Sequence, residues 1–134
     1  MSDSQGTDNV AVLTGFYQAL ESGDVARAFE FVDENIIVVY PDSLPMAGEW
    51  RGHSGLLDLF AKVGELWQGR VSEVETLVSS GSHIVVLLTT KGEVNGCALT
   101  MPIAEVWRLH NGRLVEGKPF FWDTAAIEKT LRSA

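Results

Sequence analysis

One cysteine, four prolines and three histidines are all that this chain of 134 residues holds of those types. Cys97 by itself excludes an internal disulfide and leaves no thiolate cluster for zinc. The three histidines are dispersed and show no ligand spacing, so neither a metal nor a cofactor is expected. Basic side chains are scarce as well, with 10 Lys and Arg against 18 Asp and Glu and a formal net charge of -8. A field of that sign repels phosphate backbones and anionic lipid, so neither nucleic acid nor a membrane is an expected partner. No apolar run approaches the roughly 20 residues that cross a bilayer. Met1 to Val10 is polar and acidic where a secretory signal starts basic and turns greasy. A cytoplasmic location is the resulting expectation.

What the chain does have is a core. Apolar residues make up 46% of it and charged residues 21%, ordinary proportions for one globular domain of this length. Met1 to Asp8 offers little to bury and reads as a flexible leader, with a single domain over 9–134. Val10, Leu13, Phe16, Tyr17 and Leu20 then recur at helical spacing as far as Ser22-Gly23. Asp24 is placed to cap a second, shorter helix through Val25, Ala28, Phe29 and Val32. Ile36 to Tyr40 suits a strand closed by Pro41, and Pro41 to Gly52 reads as a long surface loop. A third helix carries Leu56, Leu59, Phe60, Val63 and Trp67.

Beyond Arg70 the apolar period shortens to that of strands, expected at about 71–79, 83–93, 98–110 and 113–122. Ser80-Gly81, Asn95-Gly96 and Asn111-Gly112 are the turns between them. Asn-Gly is the strongest of these signals, because both residues tolerate the positive φ that a tight hairpin turn demands. Thr124 to Leu131 reads as a closing helix.

Phe16-Tyr17-Gln18-Ala19-Leu20 followed by Gly23-Asp24 resembles the opening of SnoaL-like proteins of the nuclear transport factor 2 superfamily, and of ketosteroid isomerase. Trp50-Arg51-Gly52-His53, Gly112-Arg113-Leu114-Val115-Glu116 and Phe121-Trp122-Asp123-Thr124-Ala125-Ala126 are similar to later parts of the same family. The resemblance spans roughly residues 9–132. It implies an α+β, cone-shaped, cystatin-like fold: three N-terminal helices on a curved, mostly antiparallel sheet that encloses a cavity. It does not imply one reaction, since such a scaffold hosts isomerases, cyclases, dehydratases, hydrolases and non-catalytic binding modules.

The isomerase's own groups do not carry over. The matching positions hold Phe16 for its tyrosine donor, Tyr40 for its base, Ala104 for its protonated aspartate and Phe60 for its supporting tyrosine. Steroid-type isomerisation is therefore rejected. What the resemblance implies instead is an apolar cavity binding a small hydrophobic ligand, lined by Phe16, Tyr40, Trp50, Phe60, Ala104, Val106 and Phe121. Ala104 and Val106 are taken to face it, which puts Glu105 and Trp107 on the other side of the sheet. With Trp122, Trp107 would then form an outer face suited to a homodimer.

Asp123, His53 and Tyr40 are the candidate catalytic groups. Asp123 could serve as a base, but an Asp before Thr124-Ala125-Ala126 also has the look of a helix cap. His53 could act as a base at the start of the third helix, or be plainly exposed. His83, His110, Asp42 and Glu49 read as solvated, Cys97 as a small strand residue, and Trp67 as core. Two functions stay open: a cofactor-independent isomerase or cyclase acting on a small aromatic or carbonyl-containing metabolite, and a non-catalytic dimeric module that binds a ligand or supports assembly.

Overall fold

The computed structural model describes residues 2–132, with side chains from Asp8 to Leu131. Helix α1 (Ser2–Glu21) starts well before the Asn9 expected from the apolar stripe. Leu13, Phe16 and Ala19 are buried on it while Thr14 and Gln18 are exposed, so the three-and-four spacing does set the packed face. Gly23, at φ 79, turns the chain, and the Asp24 carboxylate accepts the Arg27 amide at 3.0 Å to start α2 (Val25–Phe29). Such a cap is worth about 1 kcal/mol, a large share of what holds a single helical turn in water.

Val32, expected at the end of the second helix, instead begins β1 (Val32–Tyr40). The stretch expected as one long loop contains a short strand, β2 (Gly48–Arg51), which folds back antiparallel on β1 with Trp50 opposite Val38. Four residues carry too little alternation to announce a strand, and the pairing with β1 is what forms it. Helix α3 (Gly52–Leu66) follows and buries Leu56, Leu59 and Val63.

The meander is β3 (Gln68–Ser79), β4 (His83–Val94), β5 (Cys97–His110) and β6 (Arg113–Phe121), closed by α4 (Thr124–Arg132). Asn95 and Asn111 both have φ 52, and the glycines after them also have positive φ, as the hairpin reading requires. The six strands run in the order β2-β1-β6-β5-β4-β3. β1 lies parallel to β6, and the other described neighbours are antiparallel. The result is an α+β fold with helices packed on a curved, mostly antiparallel sheet.

The parity of β5 is the reverse of the expectation. Met101, Ile103, Trp107 and Leu109 are buried on the helix-facing side, and Glu105 shares their face. Trp107 meets Phe16 of α1 edge-on at 5.5 Å and lies flat over Gly117, where an added Cβ would come within 2.6 Å of the indole. Ala104 and Val106 belong to the outer row, paired with the exposed Phe120 and Lys118. A shift of one residue moves every side chain of a strand to the opposite face. The carboxyl of Glu105, set between Ile103 and Trp107, disguises the inner row as an outer one.

Candidate ligand-binding site

On the helix-facing side of the sheet a small hollow of about 50 Å³ lies between α3, β1 and the meander. Its apolar walls are Met46, Val63, Trp67, Ile103, Pro119 and Phe121. Its polar side chains are Tyr40, Arg70, Ser72, Thr90 and Glu105. Tyr40 sits at the end of β1 with its ring 5.9 Å from that of Phe121 at the end of β6, so the parallel strand pair supplies two aromatic walls together.

Glu105 is the chemical centre of this wall. The Tyr17 hydroxyl, reaching across from α1, donates to Oε1 of Glu105, and the Trp107 indole N–H donates to the Tyr17 oxygen at 2.9 Å. Direction is fixed here because an indole can only donate: Tyr17 must accept from Trp107 and pass its own proton toward the carboxyl. One oxygen of Glu105 is thereby occupied from behind, and the second is the one left for other partners.

Burial pushes the Glu105 carboxyl above the usual carboxylate range, since a charge surrounded by protein loses its hydration. The hydrogen bond from Tyr17, the nearby Trp107 indole N–H and the positive charge of Arg70 pull the other way without cancelling it. Tyr17 and Tyr40 are both raised above the ordinary phenol value, first by burial and then by the nearby Glu105. Both therefore stay protonated donors at neutral pH. The Tyr40 hydroxyl has no hydrogen-bond partner among the described residues.

Ser72 and Thr90 face each other across β3 and β4, their hydroxyl oxygens 2.8 Å apart. The Trp67 indole N–H is buried and has no partner. A buried donor left unpaired costs on the order of 1–3 kcal/mol, so the wall of the hollow holds hydrogen-bonding capacity the fold has not used. Gly92 leaves room for this indole, because a Cβ there would come within 2.8 Å of Trp67 Nε1.

Only Tyr40 and Phe121 of the expected lining wall this hollow. Phe16 is fully buried behind Trp107, and Phe60 packs on Phe29 at 6.3 Å. Trp50 is tied to its own loop, donating to the Met46 carbonyl at 2.9 Å. Ala104 and Val106 are on the far side of the sheet, as described.

Asp123 is exposed, and its Oδ1 accepts the Ala126 amide at 3.1 Å, which is the geometry of a cap on α4. His53 bonds through Nε2 to the Val32 carbonyl at 3.0 Å and stacks on Phe29 at 4.8 Å. Neither side chain reaches the hollow. Tyr17, Arg70 and Glu105 are the functional candidates that sequence reasoning missed. A signal for Glu105 was present in Gly117, whose lack of a side chain is what admits the Trp107 ring to the inner face.

The description "SnoaL-like domain" fits the chain over residues 13–117. Among solved structures, a nuclear transport factor 2-like protein of unknown function from Burkholderia pseudomallei superposes with a TM-score of 0.85 at 24% identity, covering 92% of this chain and 97% of that one. TerC, co-crystallised with polyporic acid, gives 0.84 at 19% identity over 93% and 98% of the two chains. Bal32a, from a soil-derived mobile gene cassette, gives 0.87 at 23% identity over 96% and 99%. At these identities the likeness establishes the fold alone. None of the curated proteins matches the sequence.

Proposed function

The chain belongs to the SnoaL-like domain family, and from that premise we propose that it binds a small hydrophobic, aromatic or carbonyl-bearing molecule at the hollow and moves a proton on it without a cofactor, as an isomerase or cyclase does. Glu105 carries the reading: a carboxyl set among apolar walls, oriented from behind by Tyr17 and Trp107. A carboxyl lifted toward the working pH both accepts and returns a proton with little driving force wasted in either direction. In the proposed step a carbon beside a carbonyl gives its proton to the Glu105 carboxylate while the electron pair moves onto the carbonyl oxygen. The Tyr40 hydroxyl donates a hydrogen bond to that oxygen as its charge develops. As the electron pair moves back from the oxygen to re-form the carbonyl, Glu105 returns the proton to the same carbon, or, where a carbon–carbon double bond is conjugated with the enolate, to the far end of that double bond, which shifts by one position. Asp123 and His53 have no part in this scheme, because one caps α4 and the other holds β1.

The hollow's 50 Å³ is room for a few water molecules, against the roughly 300 Å³ or more of ordinary small-molecule sites. Occupation therefore requires a wall to yield. Met46 is the wall suited to it: its unbranched thioether repacks at low cost, and it sits on a loop, 41–47, that belongs to no strand or helix.

The test is deuterium uptake at the α-carbon of α-tetralone in D2O, followed by proton NMR. The wild-type chain is expected to accelerate it, and Glu105→Gln to lose at least about 100-fold of that acceleration while keeping its fold. If tetralone raises the melting temperature but exchanges only at the uncatalysed rate, the chain is a binding module and the catalytic part of the reading falls.

A second reading concerns assembly. Leu87, Ala104 and Phe120 stand side by side across β4, β5 and β6 on the outer face of the sheet, and Leu87 and Phe120 are 40% and 57% exposed. Trp122, 83% exposed, extends this row, its amide donating to the Pro102 carbonyl at 3.0 Å. An apolar row of this kind supports a homodimer formed through the sheet, without the Trp107 first assigned to it.

A further inference from the structure

We infer that the molecule held at the hollow is an acid, a flat apolar compound whose carboxylate is gripped at the rim by Arg70 while its other end meets Tyr40 and Glu105. The inference rests on the binding reading above and narrows its ligand class. Arg70 is the one cationic side chain among the hollow's lining residues, and it is exposed. The ion pairs among the described residues are Arg51 with Glu49 and Arg108 with Glu116, so the guanidinium of Arg70 is not spent on a neighbour.

Its position is built by the backbone. Gln68 faces Glu93 and Val71 faces Lys91, so Gly69 and Arg70 together oppose the single residue Gly92. Gly69 has φ 64, which makes this a bulge opened by a left-handed glycine, a device that re-aims the following side chain. Arg70 consequently joins Ser72 on the wall of the hollow. Its charge is felt by both Glu105 and Tyr40, which places all three groups around one space.

On a chain of net charge -8, most of the surface repels an anion. A free guanidinium fork beside an apolar hollow is then a local exception, and its planar geometry matches a carboxylate. The arrangement also eases the size problem, because a carboxylate held at the exposed rim leaves only the ring to be accommodated inside.

Benzoate and benzamide separate charge from shape, being nearly equal in size and flatness. Each is titrated into the wild-type chain and into Arg70→Gln, and the shift of the Trp67 indole N–H is followed by NMR. Benzoate is expected to bind wild type about three- to tenfold more tightly than benzamide, with the preference lost in Arg70→Gln and benzamide unaffected by the change. Raising the salt concentration should weaken benzoate only. Equal binding of the two probes, unchanged by Arg70→Gln, overturns the acid and leaves the binding reading in place. A Trp67 signal that neither probe moves overturns both.

Discussion

The two faces of the sheet invert the usual rule in opposite ways. Inside, among Ile103, Trp107 and Leu88, stands a carboxyl. Outside, where water would favour polar groups, stand Leu87, Val78 and Phe120. An acid half-buried on the core side must give up hydration, and an exposed aromatic forgoes the free energy its burial would release. Neither feature helps the lone chain fold. Each finds a use in what is proposed above: the polar end of a small ligand for the inner face, a second apolar surface for the outer one.

That contrast can be broken first at Trp107. Trp107→Ala removes a large buried ring and the donor that orients Tyr17, and should cost about 3–5 kcal/mol in urea denaturation. A cost below about 1 kcal/mol would place the ring outside and erase the contrast. Glu105→Gln sharpens the comparison through pH. Because burial raises the folded-state value, the native chain holds this proton longer than the unfolded one, and wild-type stability is lost as pH rises through the window above the ordinary glutamate range. Glutamine has no proton to lose, so the variant should gain on wild type as pH rises above the ordinary glutamate range. A stability difference that stays flat with pH would mean Glu105 is not desolvated.

Smaller effects are expected away from the inner wall. Asp123→Ala should cost about 1 kcal/mol by removing the cap on α4, with tetralone exchange unchanged. Loss of exchange without loss of stability would restore Asp123 as a chemical group. Phe120→Ser should change the stability of the isolated chain by no more than about 0.5 kcal/mol. It should nonetheless shift sedimentation from dimer toward monomer. A variant that sediments like wild type would remove the outer face from consideration as an interface.

Local chemistry was legible in the sequence wherever it acts over a few residues. The Asp24 cap, the Asn95-Gly96 and Asn111-Gly112 turns and the buried stripe Leu56, Leu59 and Val63 all follow from short-range rules. The alternation of β5 was legible too, but its phase was not. Phase depends on which row meets α1, and that is decided by Phe16 and Tyr17, distant in sequence from Trp107, and by Gly117 across the β5–β6 hairpin. The expected site follows the opposite phase: it puts Ala104 inside and Glu105 outside, and so leaves out the one acid among the hollow's lining residues. Arg70 was hidden for a different reason, since a bulge changes the count of residues without leaving a pattern in hydropathy.

The parallel pairing of β1 with β6 bears on the order of events during folding. Tyr40 and Phe121 are far apart in the chain, and closing so long a loop yields no contact energy until it is nearly complete. The β4–β5 and β5–β6 hairpins, joined by their Asn-Gly turns, close over a few residues and are expected to form before it. Closure of the hollow by Tyr40 is thus expected late in folding, and local opening of the β1–β6 pairing would remove that wall while leaving the meander intact.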